Sequence, residues 1–143
     1  MEVISLMGGR RLEDAELETI LEETRIARFC CLNEDGTIHA TPVWYKYMNG
    51  KIVVLTPDHS RKAVNIKRNK NVTILIDLVK PARGVMIYGT AELDYGDILP
   101  TAITICEKYM PEERAKSFAE DLAENVMDLI VTVKPERMVT FHF

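Results

Sequence analysis

Four side chains suited to holding an anion lie close together near the middle of this chain. Thr56 ends the apolar run "KIVVLT" (51–56). Pro57 and Asp58 break the chain, and Ser60, Arg61 and Lys62 follow together. From Ser60 to Lys70 there are five cations and no acid, although the net charge of the chain is -4. If Ser60 opens a helix, its hydroxyl and the first free backbone N–H groups converge on one spot. The helix dipole adds positive potential there. Arg61 and Lys62 supply charged donors beside it, and the Thr56 hydroxyl can reach the same corner. This combination suits a phosphate monoester. Three or four charge-assisted hydrogen bonds of ~1.5–3 kcal/mol each would hold a phosphorylated ligand. The competing reading is an ordinary solvated helix face. It is the natural account of Lys67, Arg68 and Lys70, which lie farther along.

A second candidate is "HATPVWYKY" (39–47). Proline within a strand removes a ladder donor, which places Pro42 at an edge or a bulge. Backbone groups there are left to meet a ligand. Alternation puts Ala40, Pro42, Trp44 and Lys46 on one face, and Thr41, Val43 and Tyr45 on the other. Trp44, the only tryptophan, reads either as a core or interface aromatic or as the wall of a site for a flat ligand.

The elements that must position these residues follow from the pattern. Leu12, Leu17, Ile20 and Leu21 sit near helical spacing, so residues 12–24 form an amphipathic helix. Strands are expected at 26–32, 37–47 and 51–56. The turns between them, Asp35-Gly36 and Asn49-Gly50, make a three-strand antiparallel meander. A short helix over 60–69 precedes strands at 71–78 and 85–93. Pro100 and Pro111 suit the first turns of helices at 98–109 and 111–127. Strands at 129–134 and 137–143 close the chain. Six or seven short strands with helices between them predict a small antiparallel β-barrel, with a sandwich as the competing layout.

Composition narrows the function classes. The 143 residues make one domain, 1–143, with 47% hydrophobic and 28% charged residues. The acidic balance argues against a general nucleic-acid coat. No apolar run approaches the roughly 18 residues of a membrane helix. The start "MEVISLMGGRRLED" does not read as a signal peptide. Cys30, Cys31 and Cys106 show neither a disulfide framework nor zinc spacing, which fits a reducing cytoplasm. His39, His59 and His142 have no metal-ligand spacing. The helix "ERAKSFAEDLAENV" (113–126) reads as a solvated face.

The stretch "DGTIHATPVWYKYMNGKIVVLTPDHSRKAVNIKRNKNVTILIDL" resembles the pyridoxamine 5'-phosphate oxidase-like family of FMN-binding split barrels. The ordered features are an early Asp-Gly turn, Thr41–Trp44, a strand ending at Thr56, Ser60–Lys62, Asn65–Val72 and Gly89–Leu93. They span residues 24–95. The resemblance implies a mainly β, six- to seven-stranded split β-barrel with added helices. It also implies a homodimer with FMN at the subunit interface and a small-molecule redox partner. Thr56, Ser60, Arg61 and Lys62 would bind the FMN phosphate. The backbone of Pro42, Val43 and Trp44 would lie beside the isoalloxazine ring. Lys46 falls near a second family lysine that approaches the cofactor, and Arg83 falls where the true oxidases place a flavin-contacting glutamine.

Two departures limit the analogy. Thr41 stands near the position of an oxidase arginine. The ending "ERMVTFHF" has no counterpart to the tryptophan and arginine that bind pyridoxamine phosphate. The resemblance therefore implies the cofactor class and not vitamin B6 oxidation. The alternatives are a reductase using a deazaflavin coenzyme, a non-catalytic flavin- or haem-binding protein, and an interaction protein whose basic helix meets nucleic acid.

Overall fold

The computed structural model describes residues 1–6, 10–23 and 26–143. Strand β1 (Glu2–Ser5) is followed by helix α1 (Asp14–Glu22), β2 (Ala27–Leu32), β3 (Ile38–Val43), β4 (Lys46–Met48) and β5 (Lys51–Thr56). Helix α2 (Arg61–Arg68) leads into β6 (Asn71–Leu78) and β7 (Arg83–Asp94), and helices α3 (Leu99–Tyr109) and α4 (Glu112–Asn125) lead into β8 (Leu129–His142). The expected end of the first helix at residue 24 lies outside the described residues.

The strands form a single sheet in the order β3-β2-β6-β7-β8-β5-β4, with β1 added in parallel along β8. Strands β3 and β4 are therefore the two ends of this path, yet only Trp44 and Tyr45 separate them in the chain. Three Cα–Cα steps of 3.8 Å reach about 11 Å at most. The sheet must curl until its edges approach, and the result is a split barrel decorated, among the described residues, by four helices.

Three expectations about the strands change. The first three strands do not make a continuous meander, because the chain leaves the sheet after Val43 and re-enters it at the opposite end. The two hairpins survive: β2 pairs β3, and β4 pairs β5 through Asn49 and Gly50, both at positive φ. The two expected C-terminal strands are one strand of 14 residues, β8. Its ladder with β7 slips by one position between Tyr88 and Gly89, where Pro135 cannot donate. Gly89 is required there, since an added Cβ would stand 2.4 Å from the Lys134 carbonyl oxygen. Finally, the described residues form eight strands where six or seven were expected, and β1 is parallel rather than antiparallel.

The core explains why the run "IVV" in β5 is apolar throughout. Ile52 and Val54 face the barrel interior with Phe29, Ile74, Ile76, Ile87 and Val131. Val53 faces the other way, onto a second cluster under α3 and α4 built on Ala102, Cys106, Ala115 and Ala119. A strand covered on both faces has no polar side to show. The alanines let the α3–α4 hairpin approach the sheet closely. Helix α1 buries Leu17, Ile20 and Leu21 and starts with a reciprocal cap between Glu13 and Glu16.

Candidate functional site

Helix α2 begins as the sequence requires. Ser60 is extended (φ −63°, ψ 156°), and its Oγ accepts the Ala63 N–H at 3.1 Å. The same hydroxyl lies 2.7 Å from Thr56 Oγ1, and the two hydrogen-bond each other. Thr56 is one of three buried polar residues among those described, at 2% exposure. The N–H groups of Arg61 and Lys62 open the helix, where no preceding turn can accept them. Two hydroxyls, two first-turn N–H groups and the dipole thus share one corner.

Lys62 completes that corner from within the fold. It is half-buried, and its Nζ stands 5.5 Å from the centroid of the Phe29 ring. Burial pulls its pKa below the ordinary 10.5, opposed only by the nearby Cys31. Among the described residues no carboxylate pairs with it. On the neighbouring strand, Thr41 pairs with Phe29 in the β2–β3 ladder, and its Oγ1 is buried without a hydrogen-bond partner.

Lys62 and Thr56 line a cleft of about 320 Å³. Pro42, Val43 and Trp44 form one wall, and Leu55 and Pro57 extend it along the end of β5. The Trp44 indole is turned toward α3 and stacks on Tyr109, with centroids 4.5 Å apart and planes at 8°. Both sequence readings of Trp44 therefore hold at once: it packs against the second core cluster and it lines the cleft. The backbone at the break between β3 and β4 is held by side chains. The Tyr45 N–H donates to Tyr109 Oη at 3.1 Å, and Lys108 Nζ donates to the Tyr45 carbonyl at 3.2 Å.

The turn before α2 is latched from three sides. The Asp58 carboxylate accepts from Lys67 and, at 2.8 Å, from the Tyr95 hydroxyl. The Asp58 N–H donates to Asp128 Oδ1 at 2.5 Å. Lys67 and Tyr95 hold the Asp58 carboxyl below its usual range. Lys67, expected to be plain surface charge, is thus tied to the turn that carries Ser60. Arg68 donates to the Leu32 carbonyl, while Lys70, like Arg61, is exposed without a described partner.

The remaining candidates lie elsewhere in the chain. Arg61 is exposed and lines a neighbouring depression with Asn33, Asp35 and His39. Lys46 is half-buried on β4 opposite Val53 and does not line the cleft. Arg83 opens β7 opposite His142 and faces a depression beside Glu16 and Thr19 of α1. Thr56, Ser60, Lys62 and Pro42–Trp44 are brought together; Arg61, Lys46 and Arg83 are not. What the sequence reading missed is the far side of the cleft: Ile105 of α3, Phe118 and Leu122 of α4, and Met127 beyond it. A phenylalanine amid the charges of "ERAKSFAEDLAENV" was the available signal.

The sequence and the fold together place the chain in a known class. Residues 13–128 match the family described as pyridoxamine 5'-phosphate oxidase. The chain belongs to that family. No curated protein matches it. Among solved structures, a conserved hypothetical protein from Mycobacterium tuberculosis superposes with a TM-score of 0.81 at 22% identity, covering 96% of this chain and 89% of that one. An FAD-binding protein from Mesorhizobium loti superposes at 0.69 with 17% identity, covering 96% and 99%. An F420 reductase does so at 0.69 with 17% identity, covering 89% and 97%. At these identities the likeness is one of fold. Among the described residues no helix is long and apolar enough to cross a membrane.

Proposed function

We propose that this chain is an FMN-dependent oxidoreductase acting on a small-molecule redox partner. Lys62 carries the reading. A half-buried cation with no carboxylate partner among the described residues is costly unless a ligand supplies the anion. It stands beside the Thr56–Ser60 hydroxyl pair and the opening N–H groups of α2, at one end of an otherwise apolar cleft. These residues fit a phosphorylated flavin. Thr56, Ser60 and Lys62 would hold the phosphate, with Arg61 lending charge from the outer side of the helix start. The Pro42–Trp44 backbone would flank the flat ring. A bound flavin supplies the redox chemistry, and the protein supplies position, polarity and access.

The same reading includes a homodimer. Arg83, and the shallow outer edge of the cleft, would meet a cofactor only if a second subunit completes the site. The three free thiols fit a reducing cytoplasm. With Lys67 and Arg68 engaged inside the chain, the basic helix offers little to nucleic acid.

A second reading, a reductase using a deazaflavin coenzyme, is supported by the shared fold of the F420 reductase. The anion corner would serve either phosphorylated ring. Titration with FMN, riboflavin and the deazaflavin coenzyme separates the readings. FMN is expected to bind at micromolar concentration or tighter and clearly better than riboflavin. Equal affinity for FMN and riboflavin would remove the phosphate site. Preference for the deazaflavin would select the second reading. A monomeric mass by light scattering with FMN bound would refute the dimer.

A further inference from the structure

The four described helices leave one broad face of the sheet bare. Helices α1 and α2 close the barrel interior, and α3 and α4 cover β5 and the first part of β8. The outward side chains of β3, β2, β6, β7 and the second half of β8 have no such cover. Cys30, Thr73 and Tyr88 lie side by side in one row of the ladder, and Leu75, Met86 and Val139 in the next. None of these six belongs to either core cluster. At the β2–β3 edge Leu32 and Ile38 stand opposite each other, 41% and 69% exposed. A depression of about 570 Å³ opens between Cys30, Ile38, Thr73 and Tyr88. An antiparallel sheet with one solvated face shows polar residues there; this one shows apolar residues on both faces.

Five strands about 4.8 Å apart and each about 20 Å long give roughly 500 Å² in projection. An apolar patch of that size marks an interaction surface. With side-chain relief added it reaches the scale of the ~800 Å² per partner of a stable interface. Each end of the patch carries both signs. Arg28 pairs with Asp77 at one end. Glu136 stands beside Arg137 toward the other, with the Arg137 guanidinium over the Tyr88 ring. In a chain of net charge -4, a patch of mixed sign is where two copies meet with least repulsion.

We propose, resting on the homodimer reading above, that this bare face packs against the same face of a second copy, which then overhangs the flavin cleft. A two-fold contact needs one patch complementary to itself, and an apolar centre between ends of mixed charge is such a patch. Pro42 ties the face to the cleft: it stands opposite Arg28 in the ladder and lines the cleft wall. A copy seated on the face closes the outer edge of the cofactor site.

Light scattering on the full chain, diluted from micromolar concentration, measures the association. Wild type is expected at twice the chain mass. Ile38→Glu and Thr73→Arg put a charge at the edge and the centre of the face, and each should weaken association at least tenfold. Val126→Glu, at a 45% exposed side chain at the end of α4, should change it less than twofold. Cys30 gives a second readout, since it is half-buried in the depression whereas Cys31 and Cys106 are buried. Maleimide should label it at least tenfold faster in Ile38→Glu than in wild type. Ile38 does not line the cleft, so a threefold or greater loss of FMN affinity in dissociated Ile38→Glu reports the missing overhang. Thermal melts check that the variants fold. A wild-type dimer unmoved by both face variants, with Cys30 labelled equally fast, overturns the face and leaves the homodimer standing. Dissociation by Val126→Glu overturns it too, by placing the contact on the helical hairpin. Dissociation of Ile38→Glu with unchanged FMN affinity overturns the overhang. A monomeric wild type removes the homodimer and this contact with it. If FMN does not bind at all, the flavin reading fails separately, and mass and labelling still decide the face.

Discussion

Thr56 Oγ1 and Ser60 Oγ lie 2.7 Å apart, joining the end of β5 to the start of α2 across a turn of three residues. Ser60 Oγ also accepts the Ala63 N–H, so one atom caps the helix and completes the anion corner.

Ser60→Ala removes the cap and one hydroxyl together. Loss of a serine cap costs about 1 kcal/mol, which for a chain of this size lowers the melting temperature by roughly 3–5 °C. FMN affinity should fall as well, and Ser60→Thr should restore both. Thermal melts with and without FMN measure the two effects.

The cations should not contribute equally. Lys62→Ala should weaken FMN binding by about 1.5–3 kcal/mol, roughly tenfold or more in dissociation constant. Arg61→Ala, on the exposed side of the helix start, should cost less, and Lys70→Ala little. Fluorescence titration of the three variants checks this ranking. A uniform loss that steepens with salt would indicate nucleic acid instead.

Lys62 should be a stability liability in the ligand-free protein. Its folded pKa lies below 10.5, so between that lowered value and 10.5 the unfolded chain binds more protons than the folded one. Stability therefore rises with pH through that window. Lys62→Met should raise the melting temperature at neutral pH and flatten this rise. FMN affinity should move oppositely, falling as Lys62 loses its proton.

The latch on the anion turn makes Lys67 a positioning residue. Lys67→Ala frees Asp58 from one of its two side-chain partners. Amide exchange at Asp58, His59 and Ser60 should speed up, with a smaller loss of FMN affinity than in Lys62→Ala. Unchanged exchange would show that Tyr95 and Asp128 suffice.

Glu16 is a marker for the acid range. The Arg10 guanidinium, at 2.8 and 2.9 Å, and the Glu13 N–H pull its pKa from 4.5 to about 2. Its contribution is fully present above 4.5 and is lost as pH falls toward 2. Carboxyl NMR titration should give a midpoint near 2 that moves toward 4.5 in Arg10→Gln.

Much of this molecule was legible in local chemistry. Ser60 before an apolar-periodic stretch announces a helix start, and Asn49-Gly50 announces a two-residue hairpin, because each acts through neighbours a few residues away. The four helices fall where periodicity and proline place them. The grouping of Thr56, Ser60 and Lys62 could be read for the same reason: one turn links them.

What could not be read depends on contacts between distant segments. Alternation assigns Trp44 a face but cannot reveal that the chain switches sheet edges there, since strand order is decided by which ladders close the barrel. The interleaved charges of 113–126 read as a solvated face, which hid both the packed Ala115 and Ala119 and the role of Phe118. Only the folding of α3–α4 over β5 brings that ring to 6.0 Å from Trp44. Arg61 and Lys62 are adjacent in sequence, yet successive helical residues point about 100° apart. Packing against Phe29 buries one beside the barrel and leaves the other in solvent, a difference no spacing rule contains.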